Sequence, residues 1–257
     1  MIPVKSATEI ATMRKACRIA ATVLDRLCRC VAPGVNTYDL DQEGKRLLAE
    51  CGGRSACYGY RAGAKVFPAH TCLSVNEEIV HGIGQLQRVL REGDIITVDV
   101  CVEVDGFIGD NARTVPVGAI PESTAKLLRA TESALYAGIE QARSRHRVGF
   151  ISHAVEQAVR PYGFGIIRDF VGHGVGRTMH EAPQIPNFGP RNRGDRLRPG
   201  MTLAIEPMIS AGPPRVEMAD DGWTALTADR QPSAHFEHTV LVTDDEPEIL
   251  TLPERSH

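Results

Sequence analysis

The feature that most constrains the fold is a ten-residue pattern that occurs twice, far apart in the chain. The first copy, LREGDIITVD, ends at Asp99, and the second, LRPGMTLAIE, ends at Glu206. Each copy reads Leu-Arg-x-Gly, continues into strand-forming residues, and places an acid six residues after the glycine. Self-similarity at this long period indicates a duplicated α+β half and not a solenoid of short repeats. Two such halves with matching acids predict a functional site where the halves meet.

The residues before each copy are typical of helices. Apolar residues recur at helical spacing over residues 8–30, and a second helix is predicted from Asn36 or Thr37 to Gly52–Gly53. In the second half, residues 121–142 have a helical pattern, and RVGFISHAVEQAVRPYG again resembles a capped helix that ends in glycine. The predicted order is therefore helix–helix–strand in both halves.

No low-complexity linker divides the chain. We therefore predict a single catalytic domain of residues 1–257, duplicated internally as approximately 1–118 and 119–257. Hydrophobic residues make up 42% of the chain, charged residues 24%, and the net charge is −3, a profile typical of a soluble globular protein. It predicts no specific binding to nucleic acid.

The compartment is predicted from three further features. The chain has no apolar run near the ~20 residues that span a bilayer, and its N-terminus lacks the apolar segment of a secretory signal. Its seven cysteines contain no CxxC pair. Free thiols in a reducing cytoplasm are the simplest interpretation.

The stretch GDIITVDVCVEVDGFIGDN predicts a β-hairpin with acids on one face. Asp105–Gly106 is a favoured type I′ turn, and this turn pairs Cys101 with Asp110. Asp99 then lies on the same face as Asp110, with Cβ atoms at most ~7–8 Å apart. Two carboxylates this close repel each other unless a proton or a cation lies between them. A solvated polar face is the alternative interpretation.

Three more candidates lie in the second half. His173 stands between glycines, and Glu206 and Glu237 each lie in an otherwise apolar strand. By strand alternation His235 shares a face with Glu237, and His238 points to the other face. Considered alone, the histidine is equally typical of a packed or surface residue, and each of the two glutamates could form an ordinary ion pair.

Together these positions form a set of four carboxylates and one imidazole: Asp99, Asp110, His173, Glu206 and Glu237. The set is too rich in oxygen for structural zinc, which favours thiolate and imidazole. It suits two divalent ions about 3.5–4 Å apart. Mn²⁺, Fe²⁺ and Co²⁺ all tolerate such mixed oxygen and nitrogen ligands.

Several long motifs in order resemble the type 1 methionine aminopeptidases, which have the pita-bread metallopeptidase fold. They are NEEIVHG, GDIITVDV, DGFIGDNARTVPVG, GHGVGRTMHEAPQIPN, LRPGMTLAIEPM and DGWTALTADRQPSAHFEHTVLVT, and they cover nearly the whole chain. The resemblance implies an α+β fold with two pseudo-symmetric halves of antiparallel sheet covered by helices.

The resemblance also implies a role for each candidate ligand. Asp99 would chelate one of two divalent ions (Co, Mn, Fe or similar), Asp110 and Glu237 would bridge both, and His173 and Glu206 would complete the other. Glu206 would also be the general base.

The resemblance implies further residues that touch the substrate. His81 and His180 would contact it and stabilise the tetrahedral intermediate. The methionine side chain would bind among Cys57, Tyr60, Phe67, Cys72, Met179 and Trp223.

The implied activity is removal of the N-terminal methionine from polypeptides, with a small second residue preferred, by a cytoplasmic monomer. Residues 189–198 (GPRNRGDRLR) are locally basic, which predicts either a transient ribosome contact or a solvated loop. The alternatives are an Xaa-Pro aminopeptidase or prolidase of the same fold, and a non-catalytic peptide- or ribosome-binding relative.

Three positions depart from the pattern of the family. The six residues RAGAKV, from Arg61 to Val66, look like a short insertion beside the substrate pocket. His235 stands where the family usually has glutamine, and Met179 where an aromatic residue is common. We expect these departures to affect specificity and the surroundings of the metals.

Overall fold

The computed structural model describes residues 2–253. These residues form four α-helices and one 3-10 helix: α1 (Ala7–Cys28), α2 (Thr37–Glu50), α3 (Glu122–Ile139), α4 (Val148–Val159) and the 3-10 turn Arg160–Tyr162.

The described residues also form sixteen strands. They are β1 (Arg54–Ser55), β2 (Arg61–Ala62), β3 (Lys65–Val66), β4 (Cys72–Val75), β5 (Glu78–Val80), β6 (Ile95–Val104), β7 (Phe107–Pro116), β8 (Gly165–Ile166), β9 (Gly172–Gly174), β10 (Glu181–Ile185), β11 (Thr202–Ile205), β12 (Met208–Ser210), β13 (Val216–Met218), β14 (Ala225–Thr227), β15 (Ser233–Leu241) and β16 (Glu248–Ile249).

Local capping sets the ends of the helices. The Ser6 hydroxyl accepts the backbone N–H of Glu9, and the Glu9 carboxylate accepts the backbone N–H of Ser6, so α1 begins one residue before the predicted start. The Asn36 side chain caps α2 by accepting the N–H of Asp39. The third helix has no side-chain cap and is shorter than predicted at both ends. The predicted helices are therefore confirmed with small corrections at their ends, but the predicted cap of α4 is wrong, since its N-cap Arg147 makes no side-chain capping hydrogen bond.

The predicted hairpin is β6–β7. Asp105 and Gly106 have φ values of 51° and 78°, as a type I′ turn requires, and Cys101 lies opposite Asp110. The face that carries the acids is buried, so the alternative of a solvated polar face is wrong.

One antiparallel sheet of eleven strands runs through both halves of the chain. Its main path is β1-β6-β7-β15-β11-β9-β10, and the strands β4, β8, β12 and β16 pair along it. Strand β7 of the first half pairs with β15 of the second, with Glu237 opposite Ala112. This pairing, called here the seam, brings the candidate acids of the two halves to the same part of the sheet.

Each half has its own layer of helices. In the first half α1 packs on β6 and β7, and α2 packs on α1, β1 and β4; in the second half α3 packs mainly on β15, and α4 packs on α3 and β10. Contact with α1 is close at Gly109, where a Cβ atom would lie 2.7 Å from backbone atoms of Ala16 and Cys17. The fold is thus α+β with antiparallel pairing, as predicted. The internal duplication at about residue 118 stays a prediction.

Within the described residues, the helices are too short or too polar for any of them to cross a bilayer.

Candidate metal centre and substrate pocket

A cavity of about 280 Å³ lies at the seam and contains all five candidate ligands. Asp99 lies on β6, Asp110 on β7, His173 on β9 and Glu237 on β15, while Glu206 directly follows β11. Four of the side chains are buried, and that of Glu206 is 12% exposed. The structure therefore brings together the five residues that the sequence nominated from distant segments.

The ligand atoms form two groups that share Asp110. In one group Asp110 lies with Asp99 and Cys101, and in the other with His173 and Glu237; within each group all ligand atoms lie within 4.8 Å of one another. Asp110 Oδ1 faces Cys101 Sγ at 2.9 Å, whereas Oδ2 faces His173 Nε2 at 4.0 Å. The two oxygens of one carboxylate are therefore directed toward two adjoining sites.

The carboxylates are buried without basic partners of the lysine or arginine type. In the described part of the chain, their ion-pair contacts are with His173 and His235. Burial, reinforced by the neighbouring carboxylates, raises the pKa of Glu206 and Glu237 well above the ordinary glutamate value. The pKa of Asp99 is raised in the same way, and burial raises the pKa of Asp110 to about 7. A bound cation would relieve this cost.

His173 is arranged as a ligand. Its Nδ1 lies 2.9 Å from the Gly174 carbonyl oxygen, which can only accept, so Nδ1 carries the proton and Nε2 presents a lone pair. Nε2 lies 3.3 Å from Glu206 Oε1. Burial lowers the pKa of His173 to about 4, so the ring is neutral at pH 7. Because the neutral imidazole carries no charge, His173 does not form an ordinary ion pair with the buried carboxylates.

A further buried atom supports a cation at this position. Glu237 Oε1 is inaccessible to solvent and has no hydrogen-bond partner among the described residues. An unpartnered buried carboxylate oxygen is costly. The residues present therefore fit divalent cations better than any interaction within the protein.

His235 and His238 point to opposite faces, as predicted. His235 Nε2 lies 3.6 Å from Glu206 Oε2, and both of its ring nitrogens are buried without a hydrogen-bond partner among the described residues. Burial lowers the pKa of His235 to about 3, so it is neutral. His238 instead bonds to Thr251 on the far side of the sheet.

Two further histidines line the cavity beside the acids. The His180 ring packs edge-on against His173 at 4.5 Å, and its Nδ1 shares a hydrogen bond of 2.8 Å with the Tyr60 hydroxyl. The His81 ring packs edge-on against Phe170 at 5.5 Å. Burial lowers the pKa of both histidines, that of His81 to about 4. Both are therefore available as neutral hydrogen-bonding groups.

The apolar end of the cavity is lined by the predicted substrate residues Cys57, Tyr60, Phe67, Cys72, Met179 and Trp223. Phe67 and Trp223 meet edge to face, with ring centroids 5.3 Å apart. The lining thus has a polar part with the acids, called here the polar end, and an apolar part of thiol, thioether and aromatic groups, called here the apolar end; the two parts adjoin at Cys72, which lies opposite Asp99 in the sheet.

The residues from Arg61 to Val66 form a small hairpin, β2–β3, at the mouth of the cavity. Ala62 of this hairpin lines the cavity. Lys65 Nζ donates a hydrogen bond of 2.9 Å to the Gly222 carbonyl, next to Trp223. The hairpin is thereby attached to the loop that supplies one wall of the apolar end.

Sequence reasoning missed several lining residues: Val80, Phe170, Val171 and Met208. A possible signal for Phe170 was an aromatic residue placed just before the Gly-His-Gly strand. The position of Cys101 opposite Asp110 was predicted, but its contact with two candidate ligands was not.

Comparison with known proteins agrees with this geometry. Residues 11–244 match Metallopeptidase family M24. Methionine aminopeptidase 1 of Bacillus subtilis is 44% identical over 251 residues, which cover 98% of this chain and 99% of the relative. A crystal structure of methionine aminopeptidase from Thermotoga maritima has 42% identity and a TM-score of 0.94, and it covers 98% of this chain and 100% of that one.

A more distant similarity concerns the fold alone. The prolidase from Pyrococcus furiosus is 22% identical, with a TM-score of 0.77 over 98% of this chain and 66% of the prolidase. The predicted pita-bread fold is confirmed by these structures. The match over most of the chain and the identity to full-length relatives lead to one conclusion: this chain belongs to metallopeptidase family M24.

Proposed function

We propose that this protein removes the N-terminal methionine from polypeptides by hydrolysis of the first peptide bond. The observation that carries the proposal is the two-ended cavity, in which buried acids and histidines adjoin an apolar slot. An unbranched thioether side chain suits a slot lined by Cys57, Cys72, Met179 and aromatic rings. The names of the similar proteins support the same activity.

The proposal includes two divalent ions of the Mn²⁺, Fe²⁺ or Co²⁺ class. Asp99, Asp110 and Glu237 would hold one ion, and His173 and Glu206 would complete the other with the two shared carboxylates. The sharing of Asp110 between two ligand groups supports two adjoining sites. When bound, such ions lower the pKa of water and polarise the scissile carbonyl.

Glu206 is the proposed general base. It lies at the polar end, 3.3 Å from His173 Nε2, and its side chain is slightly accessible from the cavity. In this role it accepts the proton of the attacking water and delivers it to the departing amine.

His180 and His81 are the proposed groups that contact the scissile peptide. Tyr60 can donate its hydroxyl proton to His180 Nδ1, which leaves a proton on Nε2. A neutral N–H at that position stabilises negative charge that develops on the carbonyl oxygen. His81 lines the same cavity with its ring against Phe170, and in the proposal it hydrogen-bonds the peptide.

The preference for a small second residue belongs to the same proposal. The apolar slot takes the first side chain, and the histidines crowd the space that follows the scissile bond. Action as a cytoplasmic monomer on nascent chains, with transient ribosome contact through the basic residues 189–198, is also proposed. Ribosome co-sedimentation and light scattering test these two points.

The test is hydrolysis of Met-Ala-Ser and Ala-Pro-Ala by metal-free protein and after addition of Mn²⁺ or Co²⁺. We expect metal-dependent turnover of Met-Ala-Ser alone. The Glu206→Gln variant should lose about 10²-fold or more in kcat, as expected for a general base. Turnover of Ala-Pro-Ala instead would establish the Xaa-Pro peptidase alternative, and no turnover with bound metal would establish the non-catalytic one.

A further inference from the structure

Cys101 lies between two of the proposed metal ligands. Its Sγ is 2.9 Å from Asp110 Oδ1 and 3.6 Å from Asp99 Oδ1. This position follows from the hairpin, since Cys101 is two residues beyond Asp99 and directly opposite Asp110. The side chain is 4% exposed and lines the cavity. The thiol therefore contacts both acids, while the rest of the side chain packs in a buried cluster with Cys57 and Cys72.

The distances allow one ion to contact all three groups. A metal–sulfur bond of about 2.3 Å and metal–oxygen bonds of about 2.0–2.2 Å place the sulfur and oxygen about 3.1–3.7 Å apart at bond angles near 90–110°. The separation from Asp99 lies inside this range. The separation from Asp110, 2.9 Å, is shorter than this range, so an ion bound to both atoms would require the two side chains to move slightly apart.

The surroundings of the thiol also favour a cation. Glu237 Oε1, in the same cavity, is buried and lacks a partner among the described residues. Cys57 and Cys72 pack with Cys101 in one buried cluster and line the same cavity, so the position of Cys101 is fixed by its neighbours. A metal ion that binds such a thiol displaces its proton. The thiol, Asp99 and Asp110 thus form one group of possible ligands, and it adjoins the group that contains Glu237.

We propose that Cys101 is a sulfur ligand of the ion held by Asp99 and Asp110, and that this site consequently prefers thiophilic ions of the zinc class to manganese. Thiolate ligands favour soft ions, whereas Mn²⁺ favours oxygen. The inference rests on the metal centre of the proposed function but assigns it a ligand that the carboxylate and histidine set does not contain.

The test is anaerobic titration of the full-length metal-free protein with Co²⁺, followed by absorption spectroscopy. We expect a sulfur-to-cobalt charge-transfer band in the near ultraviolet that grows with bound Co²⁺. The band should be absent from Cys101→Ser and present in Cys57→Ser, a matched variant of a buried thiol that lines the same cavity but belongs to neither group of candidate ligand atoms. In Cys101→Ser, competition should show Zn²⁺ affinity lowered about 10–100-fold and Mn²⁺ affinity changed much less.

Two results would overturn the inference. One is bound Co²⁺ without the charge-transfer band in the unmodified protein, and the other is a band that survives in Cys101→Ser. If that variant does not fold, X-ray absorption at the zinc edge of the unmodified protein decides, since a sulfur neighbour at about 2.3 Å is required.

The outcomes for the inference and for the proposed function are separable. Protein that binds Co²⁺ and cleaves Met-Ala-Ser with Mn²⁺ but shows no sulfur contact refutes only the role of Cys101. Protein that binds no divalent ion refutes both proposals.

Discussion

Removal of the Lys5 charge should destabilise the protein far more than removal of an equally short surface ion pair. Lys5 Nζ lies 2.6 Å from Glu181 Oε2, and the two side chains are 4% and 10% exposed. The pair between Lys15 and Asp105 is also 2.6 Å long, but its side chains are 53% and 62% exposed. The two pairs differ in burial and not in length, so Lys15→Met is a matched control for Lys5→Met.

The expected magnitudes follow from burial. Lys5→Met leaves a buried carboxylate uncompensated, which typically costs about 3–5 kcal/mol, whereas an exposed pair contributes about 0.2–1 kcal/mol. For a domain of this size, about 1 kcal/mol shifts Tm by roughly 2 °C. Lys5→Met should therefore lower Tm by about 6–10 °C, and Lys15→Met by about 2 °C or less.

The same variant should also affect the substrate pocket. Glu181 Oε1 accepts the backbone N–H groups of Arg177 and Thr178 at 2.9 Å and 3.4 Å, so Glu181 holds the loop that supplies Met179 and His180. With Glu181 unpaired, KM for methionyl peptides should rise.

The assay is thermal and urea unfolding of both variants, followed by circular dichroism, together with kinetics on Met-Ala-Ser. The double variant Lys5→Met/Glu181→Gln should recover part of the lost stability, because it removes the unpaired charge. Equal losses below about 1 kcal/mol in the two lysine variants would refute the reasoning, since burial would then not decide the strength of the pair.

Three other perturbations test different parts of the structure. Burial raises the pKa of Glu78 from 4.5 to about 7. The contribution of this group to the free energy of unfolding is therefore present below pH 4.5 and is lost as the pH rises through 7. In urea melts between pH 5 and pH 8, Glu78→Gln should consequently gain on the order of 3 kcal/mol in free energy of unfolding relative to the unmodified protein. Replacement of the residues from Arg61 to Val66 by a two-residue link should raise KM for Met-Ala-Ser several-fold. Lys65→Met should raise KM to a smaller extent, because it removes the hydrogen bond to Gly222. An unchanged KM in both variants would show that the hairpin does not shape the pocket. Gly109→Ala should cost about 1–3 kcal/mol in thermal melts, because its Cβ would lie 2.7 Å from backbone atoms of α1; a neutral result would mean that α1 can shift on β7.

The sequence predicted those parts of the site whose positions depend on local patterns within single short segments. The Asp105–Gly106 turn and the alternation around it fix the register of β6 and β7, so the placement of Asp99 and Asp110 followed from local rules. Glu206 and Glu237 were noticeable because each places a charge in an apolar strand. A buried acid is informative in sequence even when its partner is unknown.

The parts that the sequence did not predict depend on contacts between distant segments. Lys5 and Glu181 are 176 positions apart, and neither lies in a pattern that indicates a buried pair. The pairing of β9 with β10 contains an irregular register, which alternation alone cannot reveal. The helix α3 begins at Glu122, one residue after the predicted start, and its N-cap Pro121 supplies no side-chain hydrogen bond.

The seam between β7 and β15 links metal binding to the integrity of the whole fold. Asp99 and Asp110 reach the cavity from one side of the seam, and His173, Glu206 and Glu237 from the other. An ion that bonds to residues on both sides must be released before β7 and β15 can separate. Each bound ion therefore raises the free energy of unfolding by an amount set by its affinity. A chelator should consequently act on this protein as a mild denaturant as well as an inhibitor.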